Sequence, residues 1–374
     1  MKKAIFIGPA YPYRGGIAAF NENIADVFQK NGWTCKLITF TQQYPNFLFP
    51  GKTQLTTHDA PPKLIIYRGL YSANPLNWLK ISKQIVSEAP DIVITQYWMP
   101  FMAPAFGTIL RGIKKGLPDT KCITIVHNFK PHESRIGDKQ LNKFIVNRTD
   151  NLVCLSENVK QEVQKSTNNN KVHALFHPIY DHYGETIDQE QAKCQLALDP
   201  EYKYILFFGL VRQYKGLDLL IEALNHIKSE ENIKLIIAGE FYESEKKYDQ
   251  LIRKYELSEK IIKVNQYIPN DDVPKYFCSA ELIVLPYKTA TQSGVVPIAL
   301  HFNKSVVVTD VGNLSRLIKK HNIGYIAEAN PHSIAQEIDR FFGDPGALNQ
   351  DFTPIKNELS WQSFFDTFTE EIAL

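Results

Sequence analysis

Residues 204–224 read YILFFGLVRQYKGLDLLIEAL. An apolar run (Ile205, Leu206, Phe207, Phe208) stops at Gly209, and a short turn then carries Arg212 and Lys215. Gly216 opens a second run with apolar residues at Leu217, Leu219, Leu220, Ile221 and Leu224. The first run has the bulk of a buried strand and the second the spacing of a helix, so the stretch predicts strand, turn, helix. In a parallel α/β sheet such turns lie at the carboxyl ends of the strands, where ligands bind. A helix N-terminus favours anions, so two cations beside one suit a phosphate. They equally suit a surface turn with solvated cations, and the rest of the chain has to decide.

The same alternation extends on both sides. Upstream, strands are expected at 4–8, 35–40, 64–67, 91–96, 122–127, 152–156 and 172–176. Helices are expected near 17–30, 75–89, 102–115, 138–148 and 157–165, the first from the stripe Ile17, Phe20, Ile24, Val27 and Phe28. Downstream, strands are expected at 204–209, 233–239, 261–268, 281–286, 305–309 and 324–327, with helices between. The pattern is lost over 178–202, the expected linker, and 41–62 reads as a long loop. Strands alternating with helices imply parallel sheets covered on both faces. The expected fold class is therefore α/β, with two Rossmann-like doubly wound domains at 1–180 and 181–357. A terminal amphipathic helix follows at 358–374; its Trp361, Phe364, Phe365 and Phe368 suit packing better than ligand contact.

Bulk properties narrow the function. A chain of 374 residues exceeds one ordinary core, and 44% hydrophobic with 22% charged content is that of a soluble globular protein. No apolar run approaches the roughly 20 residues that span a bilayer. The opening MKKAIFIGP reaches Gly-Pro too soon for a signal peptide, so a cytoplasmic location is expected. Five scattered cysteines (Cys35, Cys122, Cys154, Cys194, Cys278) without CxxC spacing argue against a disulfide framework or a thiolate metal site. Net charge is +2, yet residues 1–180 hold 22 Lys+Arg against 11 Asp+Glu, leaving 20 against 29 in 181–374. That asymmetry turns the first half toward something anionic, either nucleic acid or a membrane surface. No helix-turn-helix, RRM or zinc signature is present, so no nucleic-acid partner is expected. The stretch 97–116, YWMPFMAPAFGTILRGIKKG, mixes aromatics with Arg111, Lys114 and Lys115. It suits a membrane interface or a lipid-bearing ligand, and equally a core helix with a solvated end.

Three further segments carry candidate chemistry. Gly15 and Gly16 precede the first helix and let backbone approach a ligand, but lack the spacing of a dinucleotide fingerprint or a P-loop. His127 and Asn128 end a buried strand, and His132 with Glu133 follow after a loop; that pair has no further metal ligands in the sequence. After the strand ending at Pro286, Gln292, Ser293, Gly294 and Val295 lead into an apolar helical run. Ser293 suits a cap, and backbone N–H groups there would face an anion, making a second phosphate-type turn in the domain of Arg212 and Lys215.

Taken in order, these segments resemble the retaining, nucleotide-sugar-dependent glycosyltransferases of family 4, which have the GT-B fold. The resemblance covers nearly the whole chain. It rests on the Gly15-Gly16 loop, the His127 strand end, the Arg212/Lys215 turn, SGV at 293–295, TDVGN at 309–313 and the Trp-bearing terminal helix. It implies a donor held mostly by the second domain, an acceptor mostly by the first, and a terminal helix that crosses back onto the first. Carried over, Arg212 and Lys215 would hold the donor diphosphate, with Gly16 approaching from the opposite domain. Ser293, Gly294 and Val295 would supply backbone N–H groups. His127 would lie against the donor sugar, Ile268 would end the strand that packs the nucleobase, and Glu240 would follow another strand end. One departure stands out. The family usually shows two glutamates about eight residues apart, and here those positions fall on Ala290 and Ile298; Arg316 also stands where the family often has Glu.

The implied reaction moves a sugar from a UDP- or GDP-linked donor to a lipid-linked or polysaccharide acceptor. Configuration would be retained by same-face attack, with a donor phosphate oxygen taking the acceptor's proton and no protein nucleophile nominated. Fixed cations and helix N-termini would stabilise the departing diphosphate without a metal or other cofactor, and closure across 178–202 would exclude water. The lost glutamates leave open a catalytically silent relative that binds a nucleotide sugar or partners an active transferase.

Overall fold

The computed structural model describes residues 1–44, 55, 63–129, 136–167, 171–180, 183–229, 232–290, 293–312, 314–349 and 351–374. The chain divides into two compact units, Met1–His177 with Trp361–Leu374, and Pro178–Ser360.

In the first unit, seven strands form one parallel sheet: β1 (Lys3–Ile7), β2 (Thr34–Gln42), β3 (Ile65–Tyr71), β4 (Ile92–Tyr97), β5 (Lys121–Val126), β6 (Asn151–Cys154) and β7 (Val172–Ala174). Their order is β3-β2-β1-β4-β5-β6-β7. The second unit carries β8 (Lys203–Phe208), β9 (Ile233–Ala238), β10 (Ile261–Val264), β11 (Leu282–Leu285), β12 (Ser305–Thr309) and β13 (Gly324–Ala327), in the order β10-β9-β8-β11-β12-β13. In both sheets the strand order reverses between the first and fourth strands, and a doubly wound sheet opens its crevice at the carboxyl ends of that pair. In the second unit the β8–β11 register ends at Leu206 with Ile283, although both strands run two residues further.

Sequence dictates this locally. Every residue of β8 after Lys203 is buried, as an apolar run without alternation requires when both faces are covered. The helix Gly16–Lys30 buries Phe20, Asn21, Ile24, Val27 and Phe28. Against it lies the terminal helix Trp361–Ile372. Phe28 meets Phe365 and Phe368 with ring centroids 4.8 and 5.6 Å apart, and Phe20 meets Phe364 at 5.9 Å. Each buried Phe contributes about 1.5–3 kcal/mol before its ordering cost. The last element of the chain is thus part of the first unit's core.

Three expectations change. The segment 178–202 contains a helix, Gln189–Gln195, which the Asp188 carboxylate starts by accepting from the N–H groups of Glu190 and Gln191. Its polar sequence hides it, since it buries only Ala192 and Lys193. The strand expected at 261–268 ends at Val264, because the next side chain, Asn265, turns to accept the Phe241 N–H at 3.0 Å. The expected loop at 41–62 begins as strand through Gln42; apart from 43, 44 and 55, the rest lies outside the described residues.

Candidate functional site

In the second unit the turns after β8 and β9 are laced together. Gly209 leaves β8 with φ +98° and donates to the Ala238 carbonyl at 2.9 Å. The Val211 N–H donates to the Glu240 carbonyl at 2.9 Å, and the Val211 carbonyl accepts from the Tyr242 N–H at 3.1 Å. This crossing requires Gly239: its φ is +152°, and a Cβ there would overlap the Gly209 carbonyl. Gly216, at φ +68°, is held just as tightly, since a Cβ would overlap the Pro286 carbonyl oxygen. Between those glycines Arg212 is exposed, its guanidinium 5.1 Å from the centre of the Tyr242 ring. One 3₁₀ turn, Gln213–Lys215, leads into the helix Leu217–Leu224.

Lys215 points back across the strand end. Its Nζ lies 3.2 Å from the point a Cβ on Gly209 would occupy, and 5.6 Å from the Tyr287 ring centre. Val295 Cγ2 lies 3.9 Å from the same point. The Arg212/Lys215 turn and the SGV turn therefore converge on the carboxyl end of β8. Lys215 as a whole is half-buried, but its ammonium sits among protein atoms. Burial, and then the neighbouring Arg212, lower its pKa to about 8. A cation held under that strain is one a bound anion would relieve.

Other candidates of this unit take varied places. Ser293 Oγ accepts from the Val295 N–H at 3.1 Å and meets the Tyr287 hydroxyl at 3.3 Å. The serine thus caps its turn, and in doing so engages one of the three N–H groups assigned to the diphosphate. Gly294 is exposed. Glu240 is buried two residues past the end of β9, and Ile268 is buried four residues past the end of β10. Gln292 lies outside the described residues. Ala290 is half-buried and Ile298 fully buried, so neither position offers a polar side chain.

The first unit builds a neutral network. His127 follows β5, is 4% exposed, and donates its backbone N–H to the Tyr97 carbonyl at 2.8 Å. Its Nε2 meets Gln96 Oε1 at 2.8 Å; Gln96 Nε2 donates to Asn21 Oδ1 at 3.0 Å, and Asn21 Nδ2 to the Pro9 carbonyl at 2.9 Å. A carbonyl can only accept, so the whole chain of bonds has one polarity and Nε2 carries the imidazole proton. Burial, and then His177, lower the His127 pKa to about 3, so the ring is neutral. Gly8 makes room, because a Cβ there would stand 2.8 Å from Gln96 Cβ and 3.3 Å from Asn21 Nδ2. Next to Asn21 on the helix, Glu22 accepts the Tyr11 N–H, while burial raises its carboxyl pKa to about 7.

Gly15 has φ +112° with nothing within 4 Å of a Cβ, so glycine serves the backbone there and not the space. The helix Gly16–Lys30 begins without a side-chain cap or an acidic residue in its first turn, which leaves the positive end of its dipole unanswered by its own side chains. Asn128 is half-buried beside His127, whereas His132 and Glu133 lie outside the described residues. In 97–116 the core alternative holds for one face: Phe106, Ile109, Leu110 and Ile113 are buried in the helix Ala103–Gly116. Lys114 is tied to Asp150 at 3.0 Å, and Arg111 and Lys115 are exposed. Among the described residues no three His, Cys, Asp or Glu side chains gather to hold a metal, and no helix is long and apolar enough to cross a membrane.

Sequence reasoning missed Gln96 and Asn21. A signal existed for Asn21, which falls on the helical stripe whose other members are apolar.

Two sheets of this winding, one ending in a neutral buried histidine and the other in a cationic, glycine-shaped turn, define a two-domain α/β protein. The family profile described as glycosyl transferases group 1 matches residues 188–357, and that described as glycosyltransferase family 4 matches 14–180. The chain belongs to the glycosyltransferases of the GT-B fold. It is 25% identical to an uncharacterized glycosyltransferase of Methanocaldococcus jannaschii, over 94% of this chain and 92% of that one. It is 23% identical to a putative teichuronic acid biosynthesis glycosyltransferase of Bacillus subtilis, over 91% and 89%. Among solved structures, Anabaena HepE in complex with UDP shares the fold with a TM-score of 0.75 and 13% identity, over 100% of both chains.

Proposed function

We propose that this glycosyltransferase moves a sugar, with retention and without a metal, from a nucleoside-diphosphate sugar to a lipid-linked or polysaccharide acceptor. The carrying observation is that the Lys215 ammonium and the Val295 side chain meet at the end of β8, with Arg212 exposed on the same turn. Negative charge grows on the diphosphate as the glycosidic bond breaks. Two fixed cations meet it without solvent reorganisation, the kind of aid worth roughly 10²–10³-fold per donor removed. His127, held neutral with its Nε2 proton donated to Gln96, supplies no counter-charge at its strand end. UDP is the first base to try, since HepE was solved with UDP and with UDP-glucose; GDP is the second. The teichuronic acid relative supports a polysaccharide acceptor.

The working place is the cytoplasm, peripheral on the inner face of the cell membrane. One face of the helix Pro75–Glu88 supports it: Leu76 and Leu79 are 78% and 49% exposed, and Lys80 and Lys83 follow at helical spacing. The apolar Ala290 and Ile298 favour a second reading, a silent relative that binds donor without turnover. Incubation with a panel of UDP- and GDP-sugars and a membrane extract, followed by release of nucleoside diphosphate and the anomeric configuration of the product, tests the first. Donor binding without release supports the second.

A further inference from the structure

Between Glu281 and Asp310 the sequence contains no carboxylate, so the strand, turn and helix around 293 offer none to a sugar. Tyrosines stand there instead. Tyr180 is 4% exposed, with Cε2 3.5 Å and its hydroxyl 3.8 Å from the point a Cβ on Gly294 would occupy. Because residue 294 is an exposed glycine, no side chain of its own covers that edge of the phenol. Beside it the Tyr287 and Ser293 hydroxyls are 3.3 Å apart, and the Lys215 ammonium lies 5.6 Å from the Tyr287 ring centre. Tyr183 packs edge-on to Tyr180 at 6.0 Å, and Tyr214 edge-on to Tyr287 at 6.2 Å. The Tyr287–Ser293 hydroxyl pair and the Tyr180 phenol thus stand at neighbouring residues of the 293–295 turn, with Lys215 over the Tyr287 ring.

We propose that Tyr180, together with the Tyr287–Ser293 hydroxyl pair, binds the hydroxyls of a sugar flanking the diphosphate, in the place a carboxylate would take. The proposal rests on the reading that Lys215 meets a diphosphate. A sugar hydroxyl both donates and accepts, and so does a neutral phenol or alcohol. Burial raises the phenol pKa of Tyr180 and Tyr287, which keeps both protonated. Neutral groups also suit this spot electrostatically, since a carboxylate beside a diphosphate would repel it while two side-chain cations carry the attraction. Either sugar of the donor, the ribose or the one transferred, has this chemistry.

Calorimetric titration of UDP, 2′,3′-dideoxy-UDP and UDP-glucose into wild type, Tyr180→Phe, Ser293→Ala and Arg212→Ala separates the two, with GDP, its dideoxy form and GDP-mannose as a parallel set. Loss of one neutral hydrogen bond weakens binding roughly 3- to 10-fold. If ribose is held, Tyr180→Phe loses that factor for UDP but not for its dideoxy form; if the transferred sugar is held, it loses it for UDP-glucose but not for UDP. Unchanged affinity for both UDP and UDP-glucose overturns the proposal, as does an equal loss for every ligand. Arg212→Ala weakens all ligands whenever the diphosphate reading is right, so a loss there with none in Tyr180→Phe or Ser293→Ala sinks the hydroxyl proposal alone. Failure of wild type to bind any of them sinks both. Equal melting temperatures of the unliganded variants confirm that each is folded.

Discussion

The two units share a winding order and differ in electrostatics. At the carboxyl end of its sheet, the first holds a histidine buried until it is neutral, its proton fixed through Gln96 and Asn21 by a carbonyl at the far end. The second holds two cations, one exposed and one half-buried against its preference. The same topology therefore offers a crevice and does not dictate its charge. What decides the charge is a handful of side chains at strand ends, together with the glycines that let backbones and ammonium groups come close.

Removal of Lys215 should separate the units most sharply. Lys215→Ala is expected to lower sugar transfer roughly 10²–10³-fold, read as nucleoside diphosphate release, while leaving the melting temperature intact or raised because a desolvated cation has gone. Next in size are the glycines. Gly15→Ala carries only backbone strain, roughly 1–3 kcal/mol, whereas Gly239→Ala adds overlap with the Gly209 carbonyl, roughly 1–3 kcal/mol more. Denaturant melts of the two variants check that ranking; equal losses would mean that the laced turns of the second unit are looser than described.

A smaller effect separates Lys215 from His127 by pH. Lys215 is charged below about pH 8, so its attraction for phosphate is present there and lost above. A bound diphosphate raises its pKa, so binding at pH 8–9 should take up protons, seen as buffer-dependent calorimetric heats that vanish in Lys215→Ala. His127, titrating near pH 3, adds no such uptake between pH 5 and 8.

Smallest is the pH dependence of stability in the first unit, where two groups oppose. The His127 pKa is lowered from 6.5 to about 3, so stability falls as pH drops below about 6.5. The Glu22 pKa is raised from 4.5 to about 7, so its contribution is full below about 4.5 and is lost as pH rises toward 7. Between pH 4.5 and 6.5 the slopes have opposite sign. Glu22→Gln should expose a steeper acid loss and His127→Asn a stability that declines toward neutrality, both visible in melting temperature against pH.

Much of this was legible in the sequence. Parallel strands buried on both faces announce themselves as unbroken apolar runs, and the stretch 204–224 shows its strand, its glycine stops and its cations within one window. Partnerships were not legible. Gln96 bonds a residue 75 positions away, and nothing local to either announces the pair, although Asn21 interrupts an apolar stripe. Tyr180 stands in a segment that reads as linker, and its interest comes only from an exposed glycine more than a hundred residues further on. The resemblance puts Ile268 at the end of a strand over 261–268, whereas the side chain of Asn265 ends that strand at Val264.

The central claim is that the second unit's cationic turn receives a nucleoside diphosphate. The direct measurement is the melting temperature of wild type and of Arg212→Ala/Lys215→Ala across a series of UDP and GDP concentrations, since a ligand of the folded state raises it with occupancy. The account predicts a concentration-dependent rise with one of the two in wild type, and none in the double variant. An equal rise in both proteins would contradict it.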